Sequence, residues 1–149
     1  MDEREVILKE LWRRLAAVSG GGVYTTRNAK AEPKETDFPA IQFFELEDTV
    51  LPDLPHSRGG KPAFKRKLRV AIESYISATT EGAANKELYA FIKLVKTAIY
   101  QGDGKMGLKI AIVEVASTRV LRPPVGGNAI GLGLFFDFIY VEDVGKLFP

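Results

Sequence analysis

Two segments of the chain carry apolar residues at the spacing of an amphipathic helix. The first runs from about Glu3 to Val18 and ends at the glycine-rich run "SGGG". The second runs from about Ala83 to Tyr100 and ends at "QGDG". Such a stripe usually packs against the protein's own core, although a partner-binding face has the same pattern. We therefore expect two helices, each with one buried face.

Other segments alternate apolar and polar residues, or are rich in aromatic and β-branched residues, as strands are. In the segment that starts at Phe64, every second residue is mainly apolar, and Lys67, Glu73 and Tyr75 lie on the opposite, solvent-exposed face. In the last segment, glycines such as Gly131 leave room for a neighbouring backbone or side chain. The predicted strands are 23–26, 38–47, 64–76, 108–121 and 129–141.

The segment between the second and third of these strands predicts a long loop. Residues 48–63 contain three prolines and two glycines, which oppose regular structure. In the resulting order, strands follow one another along the chain without a helix between most of them, which does not fit a doubly wound sheet. We therefore expect one α+β domain over residues 1–149, with a mostly antiparallel sheet of about four main strands and two helices packed on one face.

The composition agrees with a globular domain and excludes several kinds of chemistry. The chain has 149 residues, a net charge of +2 and no cysteine, so disulfides, thiolate catalysis and cysteine-based metal sites are absent. No apolar run reaches the roughly 18 residues that span a bilayer. His56 is the one histidine, and "GGNAIGLG" lacks the Lys-Ser/Thr of a phosphate-binding loop. These residues predict no enzyme, no metal and no cofactor, and no membrane partner.

Charge is ordered in the middle of the chain. Residues 35–53 contain six acids and no Lys or Arg, and residues 58–69 contain six cations and no acid. Attraction between opposite charges on the two neighbouring strands explains why Lys67 and Arg69 are cations. It does not account for Arg58 and Lys61 in the predicted loop. A loop of one charge sign beside a patch of the opposite sign could instead contact a second copy head to tail, as ring-forming proteins do.

The pattern of elements resembles a known family. Its most specific parts are Asp37-Phe38-Pro39-Ala40 leading into a hydrophobic strand, the alternating strand 68–73, and the last strand "IGLGLFFDFIYVED". Together with the amphipathic N-terminal helix, they resemble the tail terminator proteins of long-tailed bacteriophages, the family of the U protein of phage lambda. The chain differs from that pattern in its more basic loop and in its C-terminal extension "VGKLFP".

The resemblance implies a structural role and no catalytic residues. Such proteins form a hexameric ring that caps the tail tube, ends its polymerisation and provides the surface that joins the head. The implied partners are further copies of the chain, the tail tube protein, a neck or head-completion protein, and DNA in non-specific contact within the lumen. The implied location is the head-proximal end of the virion tail, and the host cytoplasm during assembly. The expected interface residues are Arg58, Lys61, Lys65, Arg66, Phe135, Leu147 and Phe148.

Two alternatives remain open at the level of sequence. One is a related neck or tail-completion protein. The other is a small nucleic-acid-binding module that uses the basic stretch 58–69, for which aromatic side chains among the cations on an exposed face are typical. Phe64 and Tyr75 are the aromatic residues near this stretch, and the alternation places Phe64 on the apolar face. The ring is therefore favoured over the nucleic-acid module.

Overall fold

The computed structural model describes residues 2–31, 33–51, 56–58, 61–115, 119–121 and 129–143. These residues form an α+β fold, which confirms the predicted class. The helices are α1 (Glu3–Ala16) and α2 (Ala84–Tyr100), with one-turn 3-10 helices at Val18–Gly20 and Glu35–Asp37. The strands are β1 (Tyr24–Arg27), β2 (Ala40–Val50), β3 (His56–Arg58), β4 (Lys61–Ser77), β5 (Ala111–Glu114), β6 (Arg119–Leu121) and β7 (Ala129–Asp143).

The strands form one sheet in the order β1-β2-β4-β7-β5. β1 runs parallel to β2, and the other pairs are antiparallel. β3 adds to the end of β4, and β6 pairs with β7 beyond the end of β5. The long pair β4–β7 forms the centre of the sheet, with residues in register from Ala63–Asp143 to Ser77–Ala129.

Both helices pack on one side of this sheet, which we call the inner face. α1 begins where the Asp2 side chain accepts a hydrogen bond from the Arg4 backbone N–H at 2.7 Å. The two helices are tied together by Arg14, whose Nη1 donates to the carbonyl oxygens of Ala98 at 3.1 Å and Gln101 at 2.7 Å. These carbonyls at the end of α2 lack partners within the helix, so the cation stabilises both the oxygens and the helix dipole.

The core lies between the helices and the inner face. The alternating apolar positions of β7, and those of β4 from Leu68 onward, are buried there, which confirms the predicted apolar face of both strands; Phe64 is half-buried. The inner-face residues from these strands are Leu68, Val70, Ile72, Ile76, Ile130, Leu132, Leu134, Phe136, Phe138 and Tyr140. The helices contribute Ile7, Leu8, Leu11, Leu15, Leu88, Phe91, Ile92, Val95 and Ile99.

The predicted loop over residues 48–63 is wrong for much of its length. β2 continues to Val50, and His56–Arg58 pairs with Lys61–Ala63 in a hairpin. The physical reason is pairing with β4, which is long-range for the end of β2 and a local hairpin for His56–Arg58, and this pairing outweighs the local effect of the prolines and glycines. Residues 52–55 and 59–60 lie outside the described residues.

The predicted strand over residues 108–121 is correct only in part, because the described residues there form two short strands, β5 and β6, that do not include Leu108 and Lys109. Leu108 and Lys109 belong to a turn that precedes β5, and β6 pairs with β7 several residues away from β5. The turn is held by Asp103, whose carboxylate accepts hydrogen bonds from the backbone N–H groups of Lys105 at 2.8 Å and Gly107 at 3.1 Å. This Asx-type turn keeps the chain from entering the sheet before residue 111.

Tyr75 was expected on a solvent-exposed face, and it is buried, with 2% of its surface exposed. Its ring stacks on Phe38, with the ring centroids 5.7 Å apart, and its other side lies over Gly131. A Cβ atom at Gly131 would lie 2.7 Å from the Tyr75 ring and 2.8 Å from the Ser74 carbonyl oxygen. The prediction that a glycine of the last strand admits a neighbouring group is therefore confirmed at Gly131, and it explains why Tyr75 leaves the solvent.

Candidate interaction surface

The side of the sheet opposite the helices, which we call the outer face, is open in the described part of the chain. Its residues are Gln42, Phe44, Glu47 and Thr49 of β2; Lys65, Lys67, Arg69, Ala71, Glu73 and Tyr75 of β4; Phe135, Asp137, Ile139 and Val141 of β7; and Ala111 and Val113 of β5. Gln42, Ala71, Tyr75 and Asp137 are themselves buried, so the other residues of this face are those that another molecule could contact.

At the middle of the outer face, charged side chains neutralise one another. Arg69 donates from Nε and Nη2 to the two carboxylate oxygens of Asp137, at 2.8 and 3.0 Å. This bidentate pair raises the pKa of Arg69 above its ordinary value. Glu47 lies opposite Arg69 in register, so the expected cross-strand complementarity is confirmed there.

Lys67 does not share in this pairing, contrary to the expectation. Its neighbours in register are Thr49 and Ile139, and it forms no ion pair with any residue that the structure describes. The reason is a β-bulge between Glu45 and Glu47, which shifts the register so that Thr49 comes opposite Lys67.

Arg66 lies on the inner side of β4 and joins a network around Asp48. Its Nε donates to Asp48 Oδ1 at 3.1 Å, and the Tyr140 hydroxyl donates to Asp48 Oδ2 at 2.7 Å. Arg4 of α1 reaches the same carboxylate at 3.4 Å. Burial, and then the hydrogen bond to Asp48, raise the pKa of Tyr140. This network fixes the ends of β2, β4 and β7 to one another and to α1.

Four lysines surround one end of the outer face. Lys65, Lys105 and Lys109 line an open groove of about 530 Å³, together with Leu108, Ile139 and Val141. Lys67 lies beside it, in register with Ile139. Among the described residues that line the groove, Asp103 is the one acid, and hydrogen bonds from the backbone N–H groups of Gly107 and Lys105 lower the pKa of its carboxyl. The described lining of the groove thus combines three lysines and one carboxylate with apolar side chains.

An apolar rung crosses the outer face farther along the strands. Phe44, Ala71 and Phe135 lie side by side on β2, β4 and β7. Both phenyl rings are half-buried. Phe44 and Phe135 thus leave part of their apolar surface to solvent on this face, on either side of the buried Ala71.

The structure does not gather the described side chains among the expected interface residues into one patch. Lys65 and Phe135 share the outer face, but the register partner of Phe135 is Ala71, six residues and about 20 Å along β4 from Lys65. Arg66 lies on the other face of β4. Arg58 and Lys61 are register partners in the β3–β4 hairpin, and their side chains lie outside the described residues. Leu147 and Phe148 also lie outside the described residues.

Sequence reasoning missed two lysines of the groove, Lys105 and Lys109. Their signal was weak, because a cation after a helix and before a strand is common in turns. Only the pairing of β5 with β7 brings them near Lys65, about 40 residues away along the chain.

The described residues contain no group of three or more His, Asp or Glu side chains placed to hold a metal ion. Within the same ranges, no helix is both long enough and apolar enough to cross a membrane.

No family model and no curated protein matches the chain. Among solved structures, one similar chain belongs to the virion of a native gene transfer agent (GTA) particle. The similarity covers 89% of this chain and 92% of that chain, with 12% sequence identity and a TM-score of 0.41. A likeness of this degree establishes neither a family nor a function.

Proposed function

We propose that this chain is a structural protein of a phage-like virion, and that its copies form a closed ring at the head-proximal end of the tail. The ring caps the tail tube, ends its polymerisation and offers the surface that joins the head. By the sequence resemblance, the ring has six copies. The proposal rests on that resemblance and on the surface of the fold.

The parts of the sequence that carry the resemblance occupy key positions in the fold. The Asp37–Ala40 motif leads into β2, the alternating segment 68–73 is the middle of β4, and the last strand is β7. These are the strands of the sheet centre and its neighbour on one side. The motifs therefore belong to one continuous layer, as expected if the resemblance reflects a shared fold.

The observation that carries the structural role is the open outer face. It combines the apolar rung at Phe44 and Phe135 with the groove lysines, on a sheet whose other side is a packed core. Apolar surface flanked by charge is typical of a site for another protein. Further copies of this chain, the tail tube protein and a neck or head-completion protein are the partners that this role requires.

The capping role is tested by adding the protein to polymerising tail tube protein and measuring tube lengths by negative-stain electron microscopy. We expect shorter tubes of more uniform length, with extra density at one end. Tubes of unchanged length that carry no density at either end would contradict the capping role.

A second candidate function, contact with the phosphate backbone of DNA, is favoured by the four lysines at the groove. Contacts of this kind give an affinity whose logarithm falls with the logarithm of salt concentration, by about 0.9 for each phosphate neutralised. We expect a duplex of arbitrary sequence to bind weakly at low salt, and the double variant Lys105→Gln, Lys109→Gln to reduce the salt slope by about 2. Equal binding by the variant and the unchanged chain would exclude the groove as a DNA contact.

A further inference from the structure

One side of α2 carries lysine and tyrosine side chains in a row. Its members follow one another at intervals of three or four residues, so they share one face of the helix. We call this row the α2 stripe: Lys86, Tyr89, Lys93, Lys96 and Tyr100. It lies beside the apolar stripe of α2 that packs into the core, and the proposed ring assigns it no role.

The α2 stripe is accessible and borders a groove. Tyr89 is 58% exposed, and Lys86 and Lys93 are also exposed. The Tyr100 ring meets the Phe136 ring edge to face, with the ring centroids 6.1 Å apart, so the core holds it in place. An open groove of about 610 Å³, which we call the α2 groove, is lined by the stripe residues from Tyr89 to Tyr100 together with Ile92, Thr97 and Gln101. Its volume is in the range of sites that take up small organic groups.

The charge of the α2 stripe is positive. The Lys96 Nζ lies 2.7 Å from a carboxylate oxygen of Glu114 on β5. Lys86 and Lys93 form no ion pair with any residue that the structure describes. Among the described contacts, two of the three lysines of the stripe therefore keep an uncompensated charge.

The acid of α2 itself does not neutralise these lysines. Glu87 accepts a hydrogen bond from the Thr79 backbone N–H at 2.9 Å, which engages its carboxylate at the start of the helix. Residues 115–136, which follow Glu114 along the chain, contain two arginines and no acid. The stripe is therefore a surface that attracts anions.

Alternating lysine and tyrosine side chains suit a single strand of nucleic acid. The lysines attract its phosphates, and an exposed aromatic ring stacks on a base of any identity. In a duplex the faces of the bases are covered by their neighbours, so an exposed tyrosine would gain no such contact. An acidic protein segment would pair with the lysines, but its carboxylates offer no flat face to Tyr89.

The basic stretch 58–69 does not combine cations and exposed rings in this way. Of the aromatic residues near it, Tyr75 is 2% exposed and Phe64 is half-buried. The α2 stripe does combine them, because Tyr89 stands between Lys86 and Lys93 and all three side chains are exposed. The pattern that is typical of a single-strand site is therefore found on α2.

We propose that the α2 stripe binds single-stranded nucleic acid. Lys86 and Lys93 contact phosphates of the strand, and Tyr89 stacks on a base beside the α2 groove. This activity goes beyond the proposed ring, and its site is separate from the four lysines at the end of the outer face.

Fluorescence anisotropy of a short labelled oligo-dT, added to the full chain at low salt, measures this binding. We expect Tyr89→Ala to weaken the affinity by about 5- to 150-fold, the range that corresponds to the loss of one base–aromatic stack. Tyr89→Phe keeps the ring and should bind like the unchanged chain. Lys86→Gln with Lys93→Gln should reduce the slope of log affinity against log salt by about 1.4, because each phosphate contact of a single strand contributes about 0.7.

Exposed residues of the same types elsewhere in the chain supply the controls. Tyr24→Ala removes a tyrosine that is 48% exposed on β1. Lys30→Gln with Lys34→Gln removes two exposed lysines, which is the same change of charge as in the stripe variant. Both controls should leave the affinity and the salt slope close to those of the unchanged chain. Circular dichroism should show the same fold for all variants, because the changed side chains are exposed.

Three results would overturn the proposal. The first is an unchanged chain that does not bind oligo-dT at low salt. The second is equal affinity of Tyr89→Ala and Tyr24→Ala, which would reduce the stripe to a general positive surface. The third is normal oligo-dT binding by Tyr89→Ala together with lost assembly, which would show that the stripe contacts a protein. The anisotropy assay needs no assembly, so its result does not depend on whether the chain forms a ring.

Discussion

Replacing Gly131 with alanine tests how closely β4 and β7 pack on the outer face. The new Cβ would lie 2.7 Å from the Tyr75 ring and 2.8 Å from the Ser74 carbonyl oxygen. The ring could rotate only by leaving its stack with Phe38, and the carbonyl belongs to a central strand. The added methyl group therefore forces either the ring or the backbone to move.

The expected loss of stability follows from two opposing terms. Overpacking of this kind typically costs about 1–3 kcal/mol. Alanine also restricts the unfolded chain more than glycine does, which favours folding by about 0.4–1 kcal/mol. We expect the free energy of unfolding to fall by about 1–2 kcal/mol, or the melting temperature to fall by about 2–4 °C for each kcal/mol in a chain of this size.

Urea denaturation followed by circular dichroism measures this change, and Gly82→Ala is the matched control. A Cβ atom at Gly82 has no heavy atom within 4 Å, so that variant should be neutral or slightly more stable. In a Tyr75→Ala background the cost of Gly131→Ala should be smaller, since only the Ser74 carbonyl remains in the way. If Gly131→Ala is as stable as Gly82→Ala, the close packing of Tyr75 over Gly131 is wrong.

Three further predictions concern the ties between elements and the basic hairpin. Arg14→Met removes the donor to the two carbonyl oxygens at the end of α2, so it should lower the free energy of unfolding, measured by urea denaturation, by about 1–3 kcal/mol. Arg13→Met is the control: the Arg13 side chain is 65% exposed, so this variant should change the same free energy by less than about 0.5 kcal/mol. Because the pKa of Tyr140 is raised in the folded state, the folded chain holds this proton where the unfolded chain loses it, so stability should fall by up to about 1.4 kcal/mol per pH unit above pH ~10. Tyr140→Phe should lose less stability over that range in thermal melts at several pH values, and an identical pH profile would contradict the assignment. Arg58→Glu with Lys61→Glu should leave the circular dichroism spectrum unchanged and weaken ring formation or tail joining, and normal assembly of this variant would show that the hairpin is only a connector.

The core was predictable because it depends on local periodicity. Leu68, Val70 and Ile72 alternate with polar residues, and a strand places alternate residues on opposite faces whatever its partners are. The same reasoning gave both faces of β7 and the buried stripes of both helices. Such patterns need no knowledge of which strands pair.

Features that depend on pairing between distant segments were not predictable. The burial of Tyr75 requires Gly131, which only the β4–β7 register brings beneath it. The extension of β2 through Val50 follows from its pairing with β4, which brings Asp48, Thr49 and Val50 opposite residues 66–68. In the sequence the same segment precedes a cluster of prolines and glycines, which indicated a loop.

The candidate surface, too, was predictable from the sequence only in part. The charge order of residues 35–69 indicated complementary strands, and the Arg69–Asp137 pair shows why charge order alone is insufficient. The partner of Arg69 comes from β7, which is 68 residues away along the chain.

The mass of the assembled protein tests the central claim most directly. Multi-angle light scattering should be performed on the chain at high concentration, alone and after incubation with tail tube protein and separation from it. The ring predicts, in at least one of the two conditions, a single species of six times the 16.4 kDa of one chain, and negative-stain images of it should show a closed ring. A mass of 16.4 kDa in both conditions would contradict the ring.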